Sequence, residues 1–365
     1  MKLFTLLLAA CAALAGEGRW KLQFFHDQDD SAFTLNDLKF ASPKRGVACG
    51  FLTEKGRPRP TVLVTADGGE TWSFVPTREV GLSLFFLNES AGWMVTPGGV
   101  WRTEEAGRGW RKLASLKGAL RVYFLDERRG FAVGTSKSVW STTDGGARWS
   151  RVEIPGEPKS DPAHTAYTWI SFASPRDGII VGASSPPRSG ASRFPDWMDP
   201  QSAQRRRQWP SLNLVLETRD GGATWKASAS STFGQVSRMR FAAGRRGLAL
   251  VEFHDAFEWP SEVFRIDTRT GKSDRVFRRK DRAVTDVLPL DEGPGFLASI
   301  EPAAVLRNVP IPGRLKMFES ADLAAWNEMP ADYRAAGRRA ILASAGAGEI
   351  WVATDLGMIL KLVRP

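Results

Sequence analysis

The chain has 365 residues, of which 42% are hydrophobic and 25% charged, and these proportions exclude intrinsic disorder over most of its length. With 50 Lys and Arg against 40 Asp and Glu, the net charge is +10. This charge favours acidic partners such as anionic polymers or acidic protein segments, although a merely soluble basic surface explains it equally well. The 35 Gly, 22 Pro and 14 Trp residues are typical of many short strands joined by tight turns.

The N-terminus has the pattern of an export signal. Lys2 precedes an apolar run over residues 3–14, and an A-x-A cleavage site ends at Ala15. The sequence therefore predicts a signal peptide at residues 1–15 and a mature chain of residues 16–365 that is exported to a periplasmic or extracellular location.

A second way of processing the same segment stays open. Residues 8–11 resemble a bacterial lipobox, after which Cys11 would carry a lipid anchor, and this is the one membrane contact that the sequence predicts. Cys49 is the other cysteine of the chain and lies in an apolar run. We therefore expect no intrachain disulfide in the mature chain, and a buried, inert thiol at Cys49.

Beyond the leader, short apolar strands with period-two alternation recur between polar turns. A second strand rich in Gly follows each of them, as in Gly130-Phe131-Ala132-Val133-Gly134. The recurring unit is a four-stranded meander. The sequence predicts an all-β fold, a seven-bladed β-propeller with four-stranded antiparallel blades, because sheets of this size form rings of about four to eight blades. The seven first strands are predicted at residues 35–40, 82–87, 120–125, 167–172, 236–241, 284–290 and 340–345.

The last unit lacks a fourth strand, because the chain stops at Pro365 shortly after its apolar run at residues 358–363. The unassigned segment at residues 20–25 can supply that strand. We therefore predict that the N-terminal strand pairs with the C-terminal blade, which closes the ring and removes an exposed sheet edge.

Three of the units carry one turn motif, S/T-x-D-x-G-x-x-W, which is the Asp-box. In such a turn, Asp accepts hydrogen bonds from turn amides, Gly adopts backbone angles closed to other residues, and Trp covers the turn. We interpret the boxes as structural staples without a catalytic role. Their residues are Thr65, Asp67, Gly69 and Trp72, then Thr142, Asp144, Gly146 and Trp149, and finally Thr218, Asp220, Gly222 and Trp225.

Degenerate copies of the motif occur between and after the three boxes. Residues 103–110 keep the spacing with Glu105 in place of Asp, and residues 320–326 are one residue short before Trp326. Residues 267–271 suggest one further turn. Such drift is ordinary in the repeats of a propeller.

The second strands together with the T-x-D-G-G-x-T-W boxes make the chain resemble the photosystem II stability and assembly factor family. The resemblance covers nearly the whole mature chain and fades between residues 243 and 340. It implies a seven-bladed propeller that acts without catalysis and helps membrane proteins to assemble through a basic surface. It implies no particular set of partner-binding residues.

Asp-boxes also occur in sialidases, so a glycan-directed propeller, either a lectin or a sialidase-like glycosidase, is the alternative function. Sialidases use a Tyr nucleophile with a Glu, an Asp acid/base and three Arg residues that hold a carboxylate. Tyr123, Tyr167 and Tyr333 are the tyrosines of this chain, and no F/Y-R-I-P segment precedes the first box. The sequence therefore favours a binding scaffold that is not an enzyme.

Long insertions fall mainly in loops opposite the Asp-boxes, at residues 52–60, 184–212, 252–261 and 301–313. The longest, at residues 184–212 in blade four, combines Arg with Trp, a composition enriched in interface anchors. A mobile, solvated loop without a partner is the alternative. The candidate binding residues are Arg188, Arg193, Trp197, Arg205, Arg206, Arg207 and Trp209, with Arg238 and Arg240 on the first strand of blade five.

The first strands are also expected to line the central channel with polar side chains. Arg238 and Arg240 share one strand face, which favours an anion, although structural solvation is the usual role of such residues. The other predicted lining residues are Asp37, Lys39, Arg121, Thr285 and Asp286.

No cofactor or metal is predicted for this chain. The acidic run at residues 26–30 lacks the ligand spacing of a calcium loop. Basic runs at residues 205–207 and 278–280 suggest nucleic acid, but the predicted export argues against that partner. The sequence therefore predicts a monomer that binds a protein or an anionic ligand.

Overall fold

A computed structural model describes residues 18–185, 210–242, 246–253, 259–291, 293–301, 312–346 and 348–364. These residues form seven antiparallel sheets arranged as blades around a ring. The predicted all-β, seven-bladed propeller is thereby confirmed. A turn of 3₁₀ helix spans Pro162–His164, and none of the helices in these ranges has the length and hydrophobicity of a membrane span.

The strands are numbered along the chain, and the first, β1 (Arg19–Phe24), belongs to the last blade. Blade 1 contains β2 (Ser31–Phe40), β3 (Gly46–Glu54), β4 (Arg57–Thr65) and β5 (Ser73–Pro76). Blade 2 contains β6 (Ser83–Phe86), β7 (Gly92–Thr96), β8 (Gly99–Thr103) and β9 (Arg111–Ala114). Blade 3 contains β10 (Ala119–Phe124), β11 (Gly130–Gly134), β12 (Ser138–Thr142) and β13 (Ser150–Arg151).

The second half of the ring repeats this order. Blade 4 contains β14 (Thr165–Phe172), β15 (Gly178–Ser184), β16 (Ser211–Thr218) and β17 (Lys226–Thr232). Blade 5 contains β18 (Gly234–Phe241), β19 (Arg246–Phe253), β20 (Ser261–Asp267) and β21 (Lys272–Arg278). Blade 6 contains β22 (Ala283–Pro289), β23 (Gly295–Glu301), β24 (Gly313–Ser320) and β25 (Asn327–Met329), and β26 (Ala336–Gly337) also pairs with β24. Blade 7 contains β27 (Ala340–Ser344), β28 (Ile350–Thr354) and β29 (Ile359–Val363).

Blade 7 is completed by the N-terminal strand β1, which pairs antiparallel with β29. Trp20 lies opposite Leu362 and Leu22 opposite Leu360 in this register. The Trp20 side chain is only 2% exposed and its ring meets Phe296 of blade 6 edge-on at 6.1 Å. The predicted closure of the ring by the two chain ends is therefore confirmed.

In five blades, a Gly at or next to the start of the second strand is required by packing within its own blade. Phe40 of β2 lies opposite Gly46 of β3, and a methyl group at Gly46 would approach the Phe40 ring to 2.5 Å. Such a distance is far below van der Waals contact, so a larger residue would displace the ring. The same arrangement recurs at Gly92 with Phe86, Gly130 with Phe124, Gly178 with Phe172 and Gly247 with Phe241.

The predicted insertion at residues 52–60 is instead a continuation of blade 1. Strands β3 and β4 pair as far as Glu54 and Arg57, with Lys55 and Gly56 at the turn. Pro58 and Pro60 obscured this strand in the sequence. They are tolerated because β5 covers β4 only from Thr61 onward, so their missing N–H groups face an open edge.

The other three predicted insertions lie largely outside the described residues. They connect the ends of β15 and β16, of β19 and β20, and of β23 and β24. Residues 186–209, 254–258 and 302–311 are the parts of these loops that the structure does not describe.

Candidate anion-binding site in the central channel

Inner strands of five blades contain a β-bulge at the same height. In each of these strands, the residue after the bulge lies three positions before the residue that faces the Gly at or next to the start of the second strand. A bulge turns a side chain out of the regular alternation, so these five residues form one level of the channel wall. They are Asp37 in blade 1, Arg121 in blade 3, Trp169 in blade 4, Arg238 in blade 5 and Asp286 in blade 6.

Three guanidinium groups surround the indole of Trp169. The distances from the ring centroid are 4.3 Å to Arg121, 4.9 Å to Arg238 and 5.2 Å to Arg240. All three lie within the roughly 6 Å over which a cation is attracted to an aromatic face. The Trp169 indole itself is held by a 2.9 Å hydrogen bond to the carbonyl of Met239, so blade 4 offers a fixed platform between cations of blades 3 and 5.

Asp37 binds two cations and joins two blades. Its carboxylate lies 2.8 Å from the Lys39 ammonium and 3.6 Å from the Arg121 guanidinium. It also accepts the backbone N–H of Leu84, in the inner strand of blade 2, at 2.9 Å.

Asp286 makes the same set of contacts on the other side of the ring. Its carboxylate lies 2.8 Å from Arg240 and 3.7 Å from Arg238, and it accepts the backbone N–H of Leu342 in blade 7 at 2.9 Å. Arg240 also donates to the Leu342 carbonyl. Both channel carboxylates are therefore used to position cations and to join blades.

Burial and repulsion between like charges weaken the proton affinity of Arg121 and Lys39. Burial lowers the pKa of Arg121 to about 10, with Asp37 opposing the shift and the nearby Arg238 adding to it. The pKa of Lys39 is also lowered, first by burial and then by Arg240 and Arg121, against the attraction of Asp37. Burial alone would raise the pKa of Asp37, but the charges of Lys39 and Arg121 outweigh it and hold that pKa at about 2.

The more exposed side chains of this cluster are the positive ones. Four cations and two carboxylates make up the cluster, which leaves two positive charges in excess. The carboxylates are at most 2% exposed, whereas the cations are 12 to 27% exposed. Thr285, also predicted to line the channel, instead bridges to the backbone of Ala340 in blade 7. The arrangement can hold an anion against guanidinium groups that are already oriented.

The three Asp-boxes lie away from this cluster, at the hairpins between the third and fourth strands of their blades. In the first, the Thr65 hydroxyl accepts the N–H of Gly69 at 2.9 Å and Asp67 accepts the N–H of Thr71 at 2.9 Å. The Trp72 indole donates to the Gly69 carbonyl at 3.1 Å. Thr142 and Gly146 make the equivalent contact at 3.0 Å, and Thr218 and Gly222 at 2.8 Å. In the second box, Asp144 accepts the N–H of Arg148 and the Trp149 indole donates to the Gly146 carbonyl, both at 2.9 Å. In the third, Asp220 accepts the N–H of Thr224 at 2.9 Å. The Trp225 ring packs edge-on against Phe131 and Phe172.

Seven of the predicted binding residues lie outside the described residues. These are Arg188, Arg193, Trp197, Arg205, Arg206, Arg207 and Trp209 in blade four's insertion. Of the predicted binding set, Arg238 and Arg240 are therefore the pair whose surroundings the structure defines.

A Tyr–Glu pair exists, but it lies on the other face of blade 4 from the arginines. The Tyr167 hydroxyl donates to Glu157, which also meets Lys137 at 3.2 Å. Tyr167 packs in the core between blades 3 and 4, whereas Trp169 packs between blades 4 and 5. Burial and Glu157 raise the pKa of Tyr167 far above its usual range, which opposes its use as a nucleophile. Among the described residues, no cluster of three or more His, Cys, Asp or Glu side chains is placed to hold a metal.

The sequence matches no protein-family model and no curated protein, so the comparison was made with solved structures of similar fold. YCF48 from Cyanidioschyzon merolae superimposes with a TM-score of 0.59 and 17% identity over 94% of this chain and 98% of that one. A YCF48 structure bound to D1 peptide gives a TM-score of 0.58 and 14% identity over 93% and 98% of the two chains. The WD40 β-propeller domain of Doa1 gives 0.54 and 10% over 94% and 96%. Identities this low establish the propeller fold that these proteins share.

Proposed function

We propose that this protein is an exported, non-catalytic propeller scaffold that binds an acidic segment of a partner protein at its central channel and so aids assembly of an envelope complex. The observation that carries the proposal is the excess of exposed positive charge around Trp169. Asp37 and Asp286 are buried and already paired, so among the described residues the cluster keeps two positive charges in excess, which an external anion can neutralise.

A carboxylate-bearing peptide suits the geometry of this cluster. Guanidinium groups bind carboxylates through two parallel hydrogen bonds, and Arg121 and Arg238 approach Trp169 from neighbouring blades. Arg339 lies close enough to lower the pKa of Arg121 further, and its guanidinium donates to the Asn36 carbonyl at 3.0 Å. The positive surface thus continues from blade 5 to the junction of blades 7 and 1.

The comparison with known structures supports a peptide as the class of ligand. A YCF48 propeller has been solved with a D1 peptide, and this chain shares that fold over nearly its full described length. Export and a role in assembly rest on the predicted signal peptide and on the sequence resemblance described above. Cell fractionation with mass spectrometry of the mature N-terminus tests the export, and a Cys11→Ser variant distinguishes cleavage at Ala15 from lipid attachment.

The binding site is tested with an oligoglutamate peptide in fluorescence anisotropy. Arg121→Gln and Arg238→Gln each remove one cation, yet Asp37 keeps Lys39 and Asp286 keeps Arg240 as a partner at 2.8 Å. A hydrogen bond between charged groups is worth roughly 1.5–3 kcal/mol, so we expect each variant to weaken binding about tenfold or more. Arg111→Gln, on the exposed outer strand of blade 2, makes the same charge change far from the channel and serves as the control. Equal affinities of the unaltered protein and the three variants for the peptide would refute binding at this site.

A further inference from the structure

In four blades, a tryptophan of the outer hairpin closes the junction with the preceding blade. Each of these indoles lies edge-on against the phenylalanine that ends the inner strand of its own blade. The pairs are Trp72 with Phe40 at 6.0 Å, Trp110 with Phe86 at 6.4 Å, Trp149 with Phe124 at 6.0 Å and Trp225 with Phe172 at 6.2 Å. The chain therefore fills this position repeatedly with the same side chain in the same orientation.

Blade 5 has the phenylalanine but not the tryptophan. Phe241 ends its inner strand opposite Gly247, as in the other blades. The outer hairpin is tight, with Asp267 paired directly to Lys272, and residues 267–283 contain no Trp. Ile266, which also lies opposite the Gly at the start of the second strand, replaces the Thr that organises an Asp-box.

The junction of blades 4 and 5 is consequently open. A groove of about 580 Å³ lies there, with an apolar floor formed by Ile179, Val215, Met239, Phe241 and Ile266. An apolar cavity of roughly 150 Å³ is sufficient to bind benzene, so the groove has room for an indole and part of the chain that carries it.

We propose that this groove, defined by Ile179, Val215, Met239, Phe241 and Ile266, binds a tryptophan side chain of a partner protein segment. The partner's indole takes the position that Trp72, Trp110, Trp149 and Trp225 take in their own blades. The groove lies beside the outer hairpins, whereas the acidic segment proposed above binds in the channel, so the two sites are separate.

The test uses the full mature chain and the capped tripeptide Lys-Trp-Lys in isothermal titration calorimetry, with Lys-Ala-Lys as the matched peptide. We expect saturable one-to-one binding of the tryptophan peptide and at least tenfold weaker binding of the alanine peptide. Ile266→Trp places an indole in the groove and should abolish the difference between the peptides.

A second pair of variants protects the test against misfolding. Ser228 lines the groove from the outer strand β17, and Ser230 lies two residues along the same exposed strand without lining it. We expect Ser228→Trp to lower the affinity for the tryptophan peptide at least tenfold. Ser230→Trp should leave that affinity unchanged. Arg238→Gln should also leave it unchanged, which separates this site from the channel.

Three outcomes would overturn the proposal. The first is equal binding of the two peptides to the unaltered protein. The second is equal loss in Ser228→Trp and Ser230→Trp. The third is a doubled mass in light scattering that Ser228→Trp restores to that of a monomer, because a second copy of this chain would then occupy the groove.

Discussion

The carboxylate of Asp37 accepts the backbone N–H of Leu84 at 2.9 Å, which joins the inner strand of blade 1 to that of blade 2. The same carboxylate holds Lys39 at 2.8 Å. One buried side chain therefore fixes a blade boundary and a channel cation together, and its removal should affect both.

We expect Asp37→Ala to lower the free energy of unfolding by about 3–5 kcal/mol, because the change leaves buried cations without a counter-charge. Urea unfolding followed by fluorescence measures this quantity. Asp274→Ala is the control, since Asp274 pairs with Arg265 on the surface and such exposed pairs contribute roughly 0–1 kcal/mol. A loss no larger than that of the control would contradict the assigned role.

The closure of the ring predicts a large effect at its first strand. Trp20 is 2% exposed between blades 6 and 7, and truncation of a buried aromatic residue costs about 3–5 kcal/mol. Trp20→Ala should therefore lower the midpoint of thermal unfolding strongly. Phe25, which lies just beyond β1 and is 40% exposed, should tolerate the same truncation. Similar unfolding midpoints for the two variants would argue against closure of the ring by β1.

A comparison of one Asp-box glycine, Gly222, with a glycine of an open turn, Gly156, separates the cost of backbone strain from the cost of a steric clash. Gly222 has φ +84°, and a methyl group there would approach the Phe131 ring to 2.1 Å. Gly156 has φ +70° with open space around it, so Gly156→Ala should cost only about 1–2 kcal/mol for the left-handed backbone. Gly222→Ala should cost a further 1–3 kcal/mol or so for overpacking. Equal unfolding free energies for the two variants would show that Phe131 does not restrict this turn.

Acid should destabilise the Asp-box hairpins. Hydrogen bonds from Thr71 hold the pKa of Asp67 at about 2, below the ordinary value of 3.8, and Thr224 does the same for Asp220. A carboxylate whose pKa is lower in the folded state contributes stability that is complete above about pH 4 and is lost as the pH falls towards 2. Unfolding free energies measured from pH 6 to pH 2 should decline over that window.

The double variant Asp67→Asn/Asp220→Asn provides the matched comparison. An amide still accepts hydrogen bonds through its oxygen but does not titrate in this range. The double variant should therefore show a shallower decline with acid than the unaltered protein, and an identical pH profile would exclude these two groups as its source.

The fold could be read from the sequence because its determinants are local and repeated. Gly46 and Gly130 begin second strands for one steric reason, the phenylalanine ring that lies across each of them. The strand at residues 57–60 escaped prediction since Pro58 and Pro60 are allowed there only by the shortness of a neighbouring strand. The length of that neighbouring strand, β5, cannot be inferred from the residues around Pro58 and Pro60.

The site was only partly predictable for a related reason. Arg238 and Arg240 could be placed on one strand, but Trp169 could not be recognised as their common platform, because the contact joins two blades. Alignment of the six inner strands that face a Gly would have placed Asp37, Arg121, Trp169 and Asp286 at one height. The arginines of the blade-four insertion remain a prediction.

The pairing of β1 with β29 also determines the order in which the molecule can be completed. These two strands come from opposite ends of the described chain, and contacts so distant along the chain slow folding. Before they pair, blade 7 has only β27, β28 and β29, and Trp20 is missing from the junction of blades 6 and 7. The ring therefore gains its last strand and a buried aromatic residue of one blade junction in the same step.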